Sequence, residues 1–317
     1  MFKKVSLFIL KTLLLTAWLT VVWMIGSGTL GPREVGAAMS PADRQFAGVA
    51  LIIVSLVDTL IMAWLILRSR LHGWRLMLLV MAVYYGIKVV LSQLETWYFM
   101  SSVGPDTLRG IVMMYLPAAV LYPPVAVLVW GRLKAPEIDM TDTAPNRRLV
   151  MPAGQLIAKV AALALVVYPL LFFGAGYYIA WQNPAVIAFY HGVDEGSFIA
   201  HMTATFAGDP KLYPFEVMRA LLWVALAAGV IRWTRGGAWE SGLLVAVLFA
   251  LLMNDVHLFP NPLMPRAVST THFIETASSN FVWGLAITWL LHRAHQSLGD
   301  LFGGGPAKRR EHTAAPA

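Results

Sequence analysis

Eight stretches of mostly apolar residues punctuate this chain, at 5–26, 46–68, 74–99, 109–131, 155–180, 215–232, 239–257 and 272–293. Crossing about 30 Å of hydrocarbon at 1.5 Å per residue takes about 20 residues, so each is a candidate span. Lipid offers the backbone no hydrogen-bond partner, which leaves helices or a closed barrel. None of the stretches alternates with period two over strand lengths, and this excludes the barrel. At 58% hydrophobic and 13% charged residues, a soluble fold would lack polar cover for its surface. The expected fold is therefore all-α: a polytopic integral membrane bundle of about eight helices over residues 1–302. A basic tail, 303–317, carries Gly-Gly-Gly-Pro and then Lys308-Arg309-Arg310 and is expected to be disordered.

Charge placement sets the expected orientation. With the N-terminus inside, the inner connections hold Lys3 and Lys4, then Arg68, Arg70 and Arg75. Arg132, Lys134, Arg147 and Arg148 follow, then Arg232, Arg235 and Arg293. The outer ones hold only Arg33, Arg44, Arg109, Lys211 and Arg266. This obeys the positive-inside rule with both termini cytoplasmic, as in a bacterial-type plasma (inner) membrane. The net charge of +7 then faces anionic lipid. The basic residues form no stripe with interleaved aromatics, so no nucleic-acid partner is expected. Protein partners stay open. Lys3 and Lys4 before an apolar run also suit a signal peptide, but the run's length, Lys11, Trp18 and Trp23 favour a retained anchor.

Two connections differ from short turns. Inner residues 132–154 are polar with mixed charge and read as a linker. Outer residues 181–214 carry Trp181, Phe189, Tyr190, Phe198, Phe206 and Tyr213. Helix starts at Asn183-Pro184 and Ser197 predict one or two short helices in the outer interface.

Ionisable groups inside hydrocarbon cost on the order of 2.5–3.5 kcal/mol and need a reason. Asp58 and Lys88 lie at mid-membrane on adjacent antiparallel spans, at depths differing by roughly 5 Å. An intramembrane ion pair is expected, acting as a static lock or as a proton or ion relay. A second gathering lies toward the outer side. It comprises Glu95 on the third span, Asn254, Asp255 and His257 ending the seventh, and His272, Glu275, Ser279 and Asn280 on the eighth. Glu216 and Arg219 open the sixth at similar depth. A ligand pocket is expected around Glu95, Asp255, His257, His272, Glu275, Ser279 and Asn280. Imidazole and carboxylate together suit a divalent metal, with Glu95, Asp255, His257, His272 and Glu275 as its ligands. The structural reading of the same residues puts Glu275 in the first helical turn, capped by Thr270 or Thr271. It makes His257 a helix C-terminal partner.

The chain has no cysteine, which excludes thiolate chemistry. Gly-x-x-x-x-Gly-Lys, Gly-x-Ser-x-Gly and His-Glu-x-x-His are absent, and with them the signs of ATP-driven transport and familiar hydrolysis. Whether the protein is an enzyme stays open. Three functions fit. The first is an outward-facing polar pocket for a small or lipidic ligand. The second is a secondary transporter or channel using Asp58 and Lys88. The third is a structural or assembly subunit.

Overall fold

The computed structural model describes residues 2–135 and 148–302; the tail from Gly303 and the middle of the 132–154 connection lie outside them. It is 79% helical, with no strand among the described residues. Ten helices carry the argument. They are α1 Phe2–Leu30, α2 Pro41–Arg68, α3 Gly73–Phe99, α4 Pro105–Val129 and α5 Ala153–Ala180. The short pair α6 Pro184–Phe189 and α7 Phe198–Gly208 follows, then α8 Leu212–Trp233, α9 Ala238–Leu252 and α10 Arg266–Leu291. By length and composition α1 to α5 and α8 are able to cross a membrane. Helix α9 is shorter, at about 22 Å by its rise. Helix α10 has 26 residues, but its stretch 272–280 carries His272, Glu275, Thr276, Ser278, Ser279 and Asn280. The molecule is an all-α polytopic membrane bundle.

Local sequence explains the boundaries. Ser40 caps α2 by accepting from the Asp43 N–H, with Pro41 at the first helical position. Asn183 and Ser197 accept from Ala185 and Ala200 and so start α6 and α7. Helix α4 breaks at Tyr115, just before Pro117, as expected where proline removes a backbone donor. Wider π-turns interrupt α3 at Gly86–Leu91 and α5 at Leu163–Val167, and end α5 at Gly176–Ala180 and α9 at Leu248–Leu252.

One boundary differs from the sequence expectation, and the difference matters. Helix α10 starts at Arg266, directly after Pro265, so Glu275 lies in its third turn. Thr270 and Thr271 are inside the helix and cap nothing. Thr271 instead accepts a 2.7 Å hydrogen bond from Asn183 and donates to Ala267 O. The first-turn explanation for Glu275 is thereby removed.

Small residues set a close helix contact. Helices α9 and α10 pack through Gly242, Ala246 and Gly284, and a Cβ built at Gly284 would lie 2.6 Å from the Ala246 Cα. Such approach is how helices associate in lipid, where burial of apolar surface supplies no drive.

The connections separate into two ends. At one end arginines hold the chain together through backbone carbonyls. The Arg70 N–H donates to Trp233 O at 2.7 Å and Arg235 N–H to Arg68 O at 2.6 Å. Arg148 reaches Gly236 O and the Ser241 hydroxyl, Arg232 donates to Arg148 O at 2.7 Å, and Arg68 pairs with Glu240. Lys159 ties the segment after α10 to this end, donating to Arg293 O at 2.9 Å and to His295 Nδ1 at 2.6 Å. The other end joins Glu34 to Thr107 and Tyr190 to His272.

Two expectations follow. Gly284→Ala should destabilise by about 1–3 kcal/mol through overpacking, read as a lower Tm of purified protein. Gly28→Ala, which meets open space, should not. Burial, then Lys159 and Arg293, hold His295 down to about 4. The unfolded segment would bind a proton near 6.5, so stability is lost as pH falls from about 6.5 towards 4. Hydrogen-exchange protection of residues 293–302, corrected for the intrinsic rate, should fall across that window in the wild type and stay constant in His295→Gln.

Candidate functional site

Lys88 lies in the π-turn of α3, fully buried. Its ammonium is 2.9 Å from Asp58 Oδ2 on α2 and 2.5 and 2.6 Å from the two carboxylate oxygens of Asp255. Asp255 comes from a single 3₁₀ turn, Asp255–Leu258, that follows α9. Three chain segments thus meet at one ammonium. Two rings complete its shell, Trp23 of α1 and Tyr84 of α3, each 5.8 Å from the nitrogen. Trp23 Nε1 donates to the Tyr84 hydroxyl at 2.8 Å, which donates onward to Asp58 Oδ2 at 3.3 Å. Two carboxylates and one ammonium leave one negative charge over if both acids are ionised. In a dry interior that surplus is expensive.

A second cluster lies toward the end that carries α6 and α7. Arg219 of α8 is 1% exposed and pairs with Glu216 at 2.7 Å and with Glu95 of α3. Here too two acids face one cation. Glu95 stands seven residues beyond Lys88 on the same helix, about 10 Å along its axis.

Glu95 and Glu275 line one small cavity of about 10 Å³, together with Tyr168, Thr276, Ser279 and Asn280. That is room for about one water molecule. Glu275 is held by His272, whose Nδ1 lies 2.7 Å from its carboxylate. A carboxylate only accepts, so Nδ1 donates, and Nε2 faces the Tyr190 hydroxyl at 3.1 Å. The His257 ring lies 6.2 Å from that of His272. Thr276 donates to Asn254 Oδ1 at 2.5 Å, which links the polar stripe of α10 to the residue before Asp255.

The predicted pocket residues therefore fall into separate groups. Glu95, Glu275, Ser279 and Asn280 share the cavity, with His272 behind Glu275. Asp255 is turned away to Lys88, and His257 stays at the margin beside His272. The five metal candidates Glu95, Asp255, His257, His272 and Glu275 are divided among these pairings. Among the described residues no three His, Asp or Glu side chains converge on one metal position. Sequence reading did not find Trp23, Tyr84 or Tyr190. The one available signal was Tyr84 lying four residues before Lys88, on the same helical face.

Comparison with protein-family models, with curated proteins and with solved structures found no match to this chain.

Removing one partner of a buried ionic group strands the others. Arg219→Met, which leaves Glu95 and Glu216 uncompensated, should destabilise by about 3–5 kcal/mol. The double variant with Glu216→Gln should recover part of that loss, read from thermal unfolding in detergent.

Proposed function

We propose that this protein handles a proton or a small monovalent cation within the membrane, in the manner of a secondary transporter or channel. The carrying observation is Lys88 shared by Asp58 and Asp255, three fully buried or nearly buried charges whose sum does not close without a further positive charge. A static lock needs one acid for one base. A second acid supplied from a different segment gives the ammonium two alternative partners, and gives a proton or cation a place to compete with it.

The cavity between Glu95 and Glu275 supports the same reading. A water-sized space lined by two carboxylates suits a proton, a water molecule or a small ion. It is too small for a lipidic ligand, which narrows the outward-facing pocket to small guests. The arginine-rich end is assigned to the cytoplasm of a bacterial-type plasma (inner) membrane, with both termini inside. Glu95, Glu275 and His272 then lie toward the outer side, above Lys88. In that arrangement an entering cation meets Glu95 and Glu275 before it reaches Asp255 and Asp58.

Proteoliposomes loaded with a pH indicator test the proposal. Under an imposed gradient the wild type should carry proton, sodium or potassium flux above protein-free vesicles. Asp58→Asn and Asp255→Asn should each lower it on the order of tenfold while the protein stays folded. Wild-type vesicles that leak none of these ions faster than empty ones would sink the proposal. The ionic clusters would then act as helix locks in a structural subunit.

A further inference from the structure

A larger open volume than the Glu95–Glu275 cavity lies away from both ionic clusters. A groove of about 510 Å³ lies between the start of α2 and the Pro260–Pro265 strap that leads into α10. Its size falls in the range of ligand sites. The walls include Met39, Phe46, Phe259 and Met264, and two opposite charges line it, Asp43 and Arg266. Three prolines, Pro260, Pro262 and Pro265, stiffen one wall, so little backbone freedom remains to be lost on binding.

The two charges are available to a guest. The Arg266 guanidinium lies over the Phe46 ring at 5.5 Å, which orients it and leaves its N–H fork unused by any carboxylate in that contact. Arg266 is also the first residue of α10, and no side chain caps that helix, so its first backbone N–H groups have no side-chain acceptor. Asp43 accepts from the Ser40 hydroxyl at 2.7 Å through Oδ2 and is otherwise exposed. The groove thus offers an anion subsite and an ammonium subsite over an apolar floor. Both helix starts, Pro41 and Arg266, place it at the end of the bundle, at headgroup depth.

We propose that this groove binds a phosphoethanolamine lipid. Arg266 takes the phosphodiester, for which a planar guanidinium is suited, Asp43 takes the primary ammonium, and the Met and Phe walls take the start of the acyl chains. A glycerol headgroup supplies the phosphate without the ammonium. A choline headgroup supplies a cation that cannot donate a hydrogen bond. The groove is also close to the ionic core. Phe259 stacks on Trp23 with ring centroids 6.1 Å apart, and Trp23 flanks Lys88.

Native mass spectrometry of the full chain, reconstituted in equal parts phosphatidylethanolamine, phosphatidylglycerol and phosphatidylcholine, tests this. The wild type should retain the ethanolamine lipid about fivefold over each of the others, the scale of one partly exposed charge contact. Arg266→Gln should lose retention of both phosphatidylethanolamine and phosphatidylglycerol. Asp43→Asn keeps an acceptor for Ser40, so α2 stays capped, and it should lower the ethanolamine lipid to the level of the glycerol lipid. Equal retention of the three lipids by the wild type would overturn the proposal. So would a preference for phosphatidylglycerol, or an Asp43→Asn protein with unchanged selectivity.

Discussion

A lysine ammonium buried at the centre of a helix bundle must be neutralised where it stands, because neither lipid nor the packed interior can solvate it. Lys88 meets that demand with carboxylates from two other segments, and the demand fixes much else. Helices α2 and α3 are held at one relative height, since Asp58 and Lys88 must meet at 2.9 Å. The turn after α9 has to bring Asp255 inward, and α9 accordingly ends well before the membrane thickness is spanned. Trp23 extends the constraint to α1, through the Tyr84 hydroxyl and through its own ring face. The π-turn at Gly86–Leu91 lies at the same place in α3. Such turns re-aim side chains by one extra residue per turn and often accompany functional positions.

The fold class and the Asp58–Lys88 contact were legible because both depend on one-dimensional quantities. Span length counts residues against hydrocarbon thickness, and depth counts residues from a helix end. The depth estimate of roughly 5 Å separation left a lysine stem able to close the gap. What a depth count leaves open is rotation about the helix axis. Glu95, Asp255 and Glu275 lie toward one side of the bundle, yet Glu95 faces Arg219, Asp255 faces Lys88 and Glu275 faces His272.

Asp255 and His257 show the point in small compass. In an extended strand, residues two apart point the same way. The chain instead forms a 3₁₀ turn from Asp255 to Leu258. At three residues per turn, positions two apart diverge by about 240°, so one side chain goes inward to Lys88 while the other stays near His272. The start of α10 was missed for a related reason. Apolar content marks where a helix enters lipid, whereas Pro265 marks where its backbone begins, and these differ by about two turns. The arginine-rich end was counted correctly as charge but not as structure. A charge count cannot reveal that Arg148 and Arg232 satisfy backbone carbonyls of the connections, Gly236 O and Arg148 O.

Both ionic clusters show the same imbalance, two acids to one base, and they lie about 10 Å apart along a single helix. A bundle selected only for rigidity would gain from replacing either triad by apolar residues of equal volume, since desolvating three charges opposes folding more than their attraction favours it. Retaining one such triad is compatible with a helix lock. Retaining two, stacked along α3 with a water-sized cavity beside Glu95, creates successive positions where a surplus positive charge lowers the energy. Between Glu95 and Asp255 the chain offers a link through Thr276, which lines the cavity with Glu95 and donates at 2.5 Å to Asn254, the residue before Asp255. A side-chain rotation of Asp255 away from Lys88, towards its neighbour Asn254, would shorten that interval. The Asp58 carboxylate would then be the sole counter-ion of the lysine, a state whose charges balance. Of the two aspartates, Asp58 is the less engaged, holding the ammonium through one oxygen at 2.9 Å while Asp255 holds it through both at 2.5 and 2.6 Å.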